Sequence, residues 1–159
     1  MDADSLLEAV KLNGFMIRAP LHHFDIKIIT KLCLAAVTKH GRAIEYISPA
    51  IKIYSQNEAR YFADNWGIKV PTEPEPNSDI LLNIMKYNHV DALNICFTAV
   101  RQEAGSLFYI PLEIINNERV DCRLEICNAA LEQNACIAWM VEKILAGEAA
   151  TKPPRAITA

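Results

Sequence analysis

The chain has 159 residues, 16 Lys and Arg against 19 Asp and Glu for a formal net charge of -3, and 52% hydrophobic residues. That length suits one domain with an interior large enough to fold without a cofactor. Charges of both signs are interspersed, which leaves no basic footprint for a nucleic-acid backbone and far too little acid for a mimic of one. The N-terminus M-D-A-D-S-L-L-E-A-V lacks the basic and apolar regions of a signal peptide, and no later segment approaches the roughly 20 apolar residues of a membrane span. The expectation is a cytoplasmic protein, or one delivered to a host cytosol by a route without a cleaved signal peptide.

In chain order, Ser5 and Glu8 form a capping-box pattern that predicts a first helix presenting Leu6, Ala9 and Val10, with Gly14 ending it. Pro20 to Phe24, with His22 and His23, reads as a loop. Asp25 is expected to cap a long amphipathic helix from about Ile26 to His40, with Ile29, Leu32, Cys33, Ala36 and Val37 inward and Lys27, Thr30, Lys31, Thr38 and Lys39 outward. Ser48 with Pro49 reads as a cap followed by a favoured first helical residue. Ser55 with Glu58 repeats the capping box ahead of a helix carrying Tyr61, Phe62 and Trp66.

The stretch P-T-E-P-E-P-N-S (71–78) cannot be helical and reads as a loop between two sub-blocks of one domain, 1–148. Asp79 to Asn88 and Asp91 to Glu103 read as two helices joined by a tight turn at His89 and Val90. Pro111 to Ile115 is a short helical turn, 116–123 leads into a last long helix ending near Asn134, and 149–159 reads as a disordered tail.

One pattern recurs along these segments. Aligned on Val37, the residues Val10, Ala63, Val100 and Leu131 occupy the same place, at intervals of 27, 26, 37 and 31 residues. The preceding residue is Ala9, Ala36, Phe62, Ala99 or Ala130. Four before the anchor stand Leu6, Cys33, Ala59, Cys96 and Cys127, and four after it Gly14, Gly41, Gly67, Ala104 (with Gly105 next) and Ala135. Spacings of three and four place the apolar set on one helical face, and glycine at the stop predicts a left-handed C-terminal cap. A second apolar pattern follows: Phe15 to Ile17, Ile44 to Ile47, Leu107 to Ile110, and Ile137 to Val141. A helical hairpin of this size buries only one side, so neighbours must stack. The expected fold is all-α, an irregular stack of short helical hairpin repeats, an α-solenoid-like bundle.

The pieces L-L-E-A-V-K-L-N-G (6–14) and L-A-A-V-T-K-H-G-R-A-I-E-Y-I-S (34–48) resemble a short tandem helical repeat of unknown function. Its units read alanine-valine, three residues, glycine and an apolar turn, and it occurs in bacterial and intracellular-pathogen proteins. The A-P-L-H at 19–22 and L-L-N-I-M-K-Y-N-H-V-D-A at 81–92 also suggest ankyrin repeats, but the first two intervals are shorter than the roughly 33 residues of that unit.

The five cysteines form no C-x-x-C. Cys33, Cys96 and Cys127 share one repeat position and read as small apolar fillers, with Cys122 and Cys136 off that stripe. His22, His23 and His40 with Asp25 could approach one another, but lack the helical pairing of a zinc site. Glu45, Glu103, Glu113 and Glu118 show no spacing for paired acid and base work. No catalytic, cofactor-binding or metal residue stands out, and no cofactor is expected. The reading is a non-enzymatic protein–protein interaction module with a protein partner, and the resemblance implies an effector or inhibitor of a host-associated bacterium. The alternative is a small enzyme or ligand-binding protein with a site in a groove near Trp66, Tyr87 and His89.

Overall fold

The computed structural model describes residues 2–49, 60, 61, 63–65, 67, 76–115, 120–135, 138, 141 and 142, and among these the regular structure is entirely helical. The α-helices are α1 (Ala3–Leu12), α2 (Ile26–Lys39), α3 (Ile80–Tyr87), α4 (His89–Gln102), α5 (Leu112–Ile115) and α6 (Val120–Gln133). Tight 3₁₀ segments follow three of them: η1 (Gly14–Arg18), η2 (Gly41–Tyr46) and η3 (Ala104–Tyr109). The chain is all-α to this extent.

Local chemistry sets most boundaries. The Asp2 carboxylate, rather than Ser5, caps α1 by accepting from the Ser5 N–H at 2.7 Å, so the helix starts at Ala3. Asp25 caps α2 through the Lys27 N–H at 2.8 Å, as its sequence position implies. Asn88 alone joins α3 to α4: its side-chain oxygen accepts from the Val90 and Asp91 N–H groups, which places His89 and Val90 in the first turn of α4 rather than in a turn before it. α1, α2 and α4 end on an extended residue, Asn13, His40 or Glu103, and Asn134 follows α6. Each of the four returns its N–H to the carbonyl of Ala9, Ala36, Ala99 or Ala130.

These stops do not use left-handed glycine. Among the described residues Gly67, with φ 64°, is the one with positive φ. Gly14 and Gly41 instead open η1 and η2, and they need to be glycine because another backbone lies against them. A Cβ on Gly14 would stand 2.4 Å from the Ala36 carbonyl oxygen, and a Cβ on Gly41 2.4 Å from that of Ala99. Gly105 has open space around it, so Ala104 fills the corresponding place and Gly105 has no such role.

The two glycine contacts also set how the helices lie. Each puts the C-terminal end of one helix beside the C-terminal end of the next, α1 on α2 and α2 on α4. Gln133 Nε2 donates to the Arg101 carbonyl at 2.6 Å and does the same for α4 and α6. The four helices therefore run side by side in one direction in the order α1, α2, α4, α6, with η1, η2 and η3 packed in a second layer against them. Between the layers lie Leu6, Val10, Ile17, Ile29, Leu32, Cys33, Val37, Ile44, Ile95, Cys96, Val100 and Leu107, all buried. Each fully buried Leu, Ile or Val contributes about 1.5–3 kcal/mol. α3 lies across α2 and α4, held at its start by the Leu81 N–H to the Ile47 carbonyl (3.0 Å).

The described residues of the expected third unit, 60, 61, 63–65 and 67, are exposed. Ala63, at the anchor position, is exposed, and the Gly67 N–H returns to Ala63 itself rather than to residue 62. α2 packs directly on α4. The predicted caps at Ser55 and Glu58 and the tail 149–159 lie outside the described residues.

Candidate functional site

The polar residues flagged in the sequence do not converge. His22 Nε2 is 2.8 Å from Asp79 Oδ1 on the surface, whereas Asp25 is used in capping α2. Desolvation acts to raise the Asp79 carboxyl, but the His22 ring and further hydrogen bonds outweigh it and hold the group below its ordinary value. His23 leans on the Phe24 ring, and His40 is structural: its Nδ1 accepts the Gly14 N–H at 3.0 Å while its ring stacks on Phe15 at 4.6 Å. Among the described residues no group of three His, Cys, Asp or Glu could hold a metal ion. Cys33, Cys96 and Cys127 are free and buried, and burial pushes the Cys96 thiol up to about 12. The side chains of Cys122 and Cys136 lie outside the described set, as do Trp66 and Glu118. Of the other two residues of the groove expected near Trp66, Tyr87 is exposed at the end of α3 and His89 opens α4. Glu113 is exposed on α5.

The 3₁₀ layer is closed by contacts between its own side chains. Phe15 of η1 meets the edge of Tyr46 of η2 (5.9 Å), and Arg18 lies 4.8 Å over the same ring. The arrangement recurs one step along, where Arg42 of η2 lies 5.4 Å over Tyr109 of η3 and donates to its hydroxyl at 3.2 Å. Glu45 sits 3.5 Å from Arg42. Burial pushes the Tyr109 hydroxyl well above its usual range. Ser48 Oγ donates to the Tyr109 carbonyl. These groups are engaged with one another.

The helix layer is different, because its outer side is furrowed. A groove of about 500 Å³ runs between α1 and α2, and one of about 580 Å³ between α4 and α6. Both are built from the same places in the register. Leu7 in the first corresponds to Phe97 in the second, Lys11 to Arg101, Ala35 to Ala129, and Leu34 to Asn128. Their charge is opposite. Lys31 corresponds to Glu125, Thr38 to Glu132 and Lys39 to Gln133, so the α1–α2 groove carries three lysines on an apolar floor and the α4–α6 groove two glutamates.

Lys11 is paired with Glu8 at 3.3 Å, and the Arg101 guanidinium lies 5.1 Å over Phe97. Lys31, Lys39, Glu125 and Glu132 form no ion pair among the described residues. Leu34, 39% exposed, and the half-buried Phe97 lie on the two middle helices of this face. Sequence reading assigned no residue to a binding face. The signal was present in the register, since comparing position by position gives Lys31 against Glu125.

Comparison with protein-family models, with curated proteins and with solved structures finds no match to this chain. No helix among the described residues is long and apolar enough to cross a membrane.

Proposed function

We propose that the protein is a non-enzymatic interaction module that binds a protein partner through the outer face of α1, α2, α4 and α6. On this reading each of α1, α2 and α4 with its 3₁₀ segment is one unit of an irregular, solenoid-like stack. α6 is the last unit, and the described residues of the third segment are exposed. The resemblance of 6–14 and 34–48 to a tandem helical repeat of bacterial and intracellular-pathogen proteins agrees with that architecture, and with an effector or inhibitor role. Stacked units offer extended surfaces rather than enclosed pockets.

The single observation that carries the reading is the contrast between the two layers. The arginines of the 3₁₀ layer are paired with its tyrosines, whereas the helix face keeps open grooves lined by charges, Lys31, Lys39, Glu125 and Glu132, that form no ion pair among the described residues. Apolar side chains at the centre of a face with a polar rim are what a protein interface uses.

The test is capture from a lysate of the source cells, or of host cells, with three forms of the full chain. The wild type and Met16→Glu, which alters the 38% exposed Met16 of η1, should retain the same partner. The double change Leu34→Glu with Phe97→Glu should lose it while keeping the helical circular dichroism spectrum. Retention by the double variant, or loss by Met16→Glu alone, would contradict the assignment.

A further inference from the structure

The paired grooves suggest a specific occupant for the helix face. Their lining positions correspond one to one, the helices between them run in one direction, and their charges are opposite: Lys31 and Lys39 line the α1–α2 groove from α2, and Glu125 and Glu132 line the α4–α6 groove from α6. A two-fold axis lying in the face, parallel to the helices and passing between α2 and α4, exchanges the two ends. It lays the α1–α2 groove of one molecule over the α4–α6 groove of another, and does so twice.

We propose that this face pairs with the same face of a second copy of the chain. Lys31 and Lys39 of each molecule then meet Glu125 and Glu132 of the other, and Leu34 and Phe97 come together near the axis. The proposal rests on the helix face being the binding face, and it names the partner.

Three physical points favour it. An isologous contact needs a self-complementary patch, and a face with lysines in its α1–α2 groove, Leu34 and Phe97 between, and glutamates in its α4–α6 groove supplies one. The four charges form no ion pair within the molecule among the described residues, so bringing them together breaks no bridge. Arg101 lines the α4–α6 groove from α4, held over Phe97, and leaves that groove with two glutamates against one arginine. Charge complementarity of this kind fixes orientation and speeds encounter, and it weakens with salt.

Two charge-reversal variants of the full chain give the test: Lys31→Glu with Lys39→Glu, and Glu125→Lys with Glu132→Lys. All four side chains are exposed, so the fold should hold, and circular dichroism checks it. Sedimentation velocity at about 0.1 mM protein and low salt should show the wild type as a dimer, and in about 0.5 M salt, where the Debye length is a few ångström, as a monomer. Each variant alone should be monomeric, because both of its grooves then carry one sign. An equimolar mixture should restore a dimer containing one of each.

A wild type that stays monomeric in low salt overturns the proposal, as do a dimer that survives either double reversal, a mixture that fails to pair, and open-ended polymers in place of a closed dimer. Failure here while the Leu34→Glu and Phe97→Glu pair still abolishes capture of another protein would reject the second copy and leave the binding face standing. Failure of both would reject the face.

Discussion

At the scale of single residues, the most informative positions are the glycines that touch a neighbouring backbone. Gly41 has a carbonyl oxygen where its Cβ would be, and a carbonyl within a helix cannot rotate aside as a side chain can. Gly41→Ala should therefore destabilise the fold by about 2–3 kcal/mol, in the range of overpacking a tight contact. Gly105→Ala, with open space around it, should be neutral or stabilising by up to about 1 kcal/mol through the unfolded chain. Denaturant midpoints of the two variants check this; similar midpoints would mean that η2 and α4 do not approach as described.

The sequence reading found the right positions in Gly14 and Gly41 but the wrong cause. Glycine is equally at home in a left-handed cap and in a close crossing, and a sequence alone does not display the second backbone. Tyr109 gives a pH-dependent counterpart. Its hydroxyl is harder to ionise in the folded state than in the unfolded chain, where the pKa is about 10. The folded state thus binds more protons above that pH, so the stability this group contributes is full below about 10 and is lost as pH rises beyond it. Unfolding midpoints followed from neutral to alkaline pH should fall less steeply in Tyr109→Phe than in the wild type.

At the scale of elements, the helices were legible because their information is local. The period of Ile29, Leu32, Cys33, Ala36 and Val37 writes the buried face of α2, and Asp25 writes its start. The 3₁₀ segments were legible only as short apolar patterns, since a run such as Phe15 to Ile17 suits several turn geometries. What was hidden is attachment over long sequence separations. Asn77, from the loop before α3, is buried, and its side-chain amide donates to the carbonyls of both Ile17 and Ala19 at 2.9 Å. It ties the return of the chain to the end of η1 across about 60 residues of sequence. Replacing it leaves two carbonyls without that donor, so Asn77→Ala should cost about 1–3 kcal/mol. Asn77→Asp should cost at least as much, because a carboxylate cannot donate to a carbonyl. A thermal melt in which Asn77→Ala matches the wild type would show that this tie contributes nothing.

At the scale of the whole molecule, the order α1, α2, α4, α6 was only partly readable. Five segments share a register in the sequence, yet the packing continues from α2 to α4, and Ala63 is exposed. Register alone gives each segment an equal place. The backbone that lies against Gly41 is that of Ala99, on α4. The proposed binding face follows the sequence expectation of the outward side of successive units, which named no residues. Its grooves exist only once α1 meets α2 and α4 meets α6.

The claim that binding uses the helix layer and not the 3₁₀ layer is tested most directly by a photo-activated cross-linker placed at single positions of the full chain. Thr38 and Gln102 report the helix layer, and Phe15 and Met16 report η1, all four being exposed. Protein adducts, whether with a second copy or with another protein, should form from Thr38 and Gln102 and be absent from Phe15 and Met16. Adducts that arise from the η1 positions, while the helix positions stay unlabelled, would contradict the account.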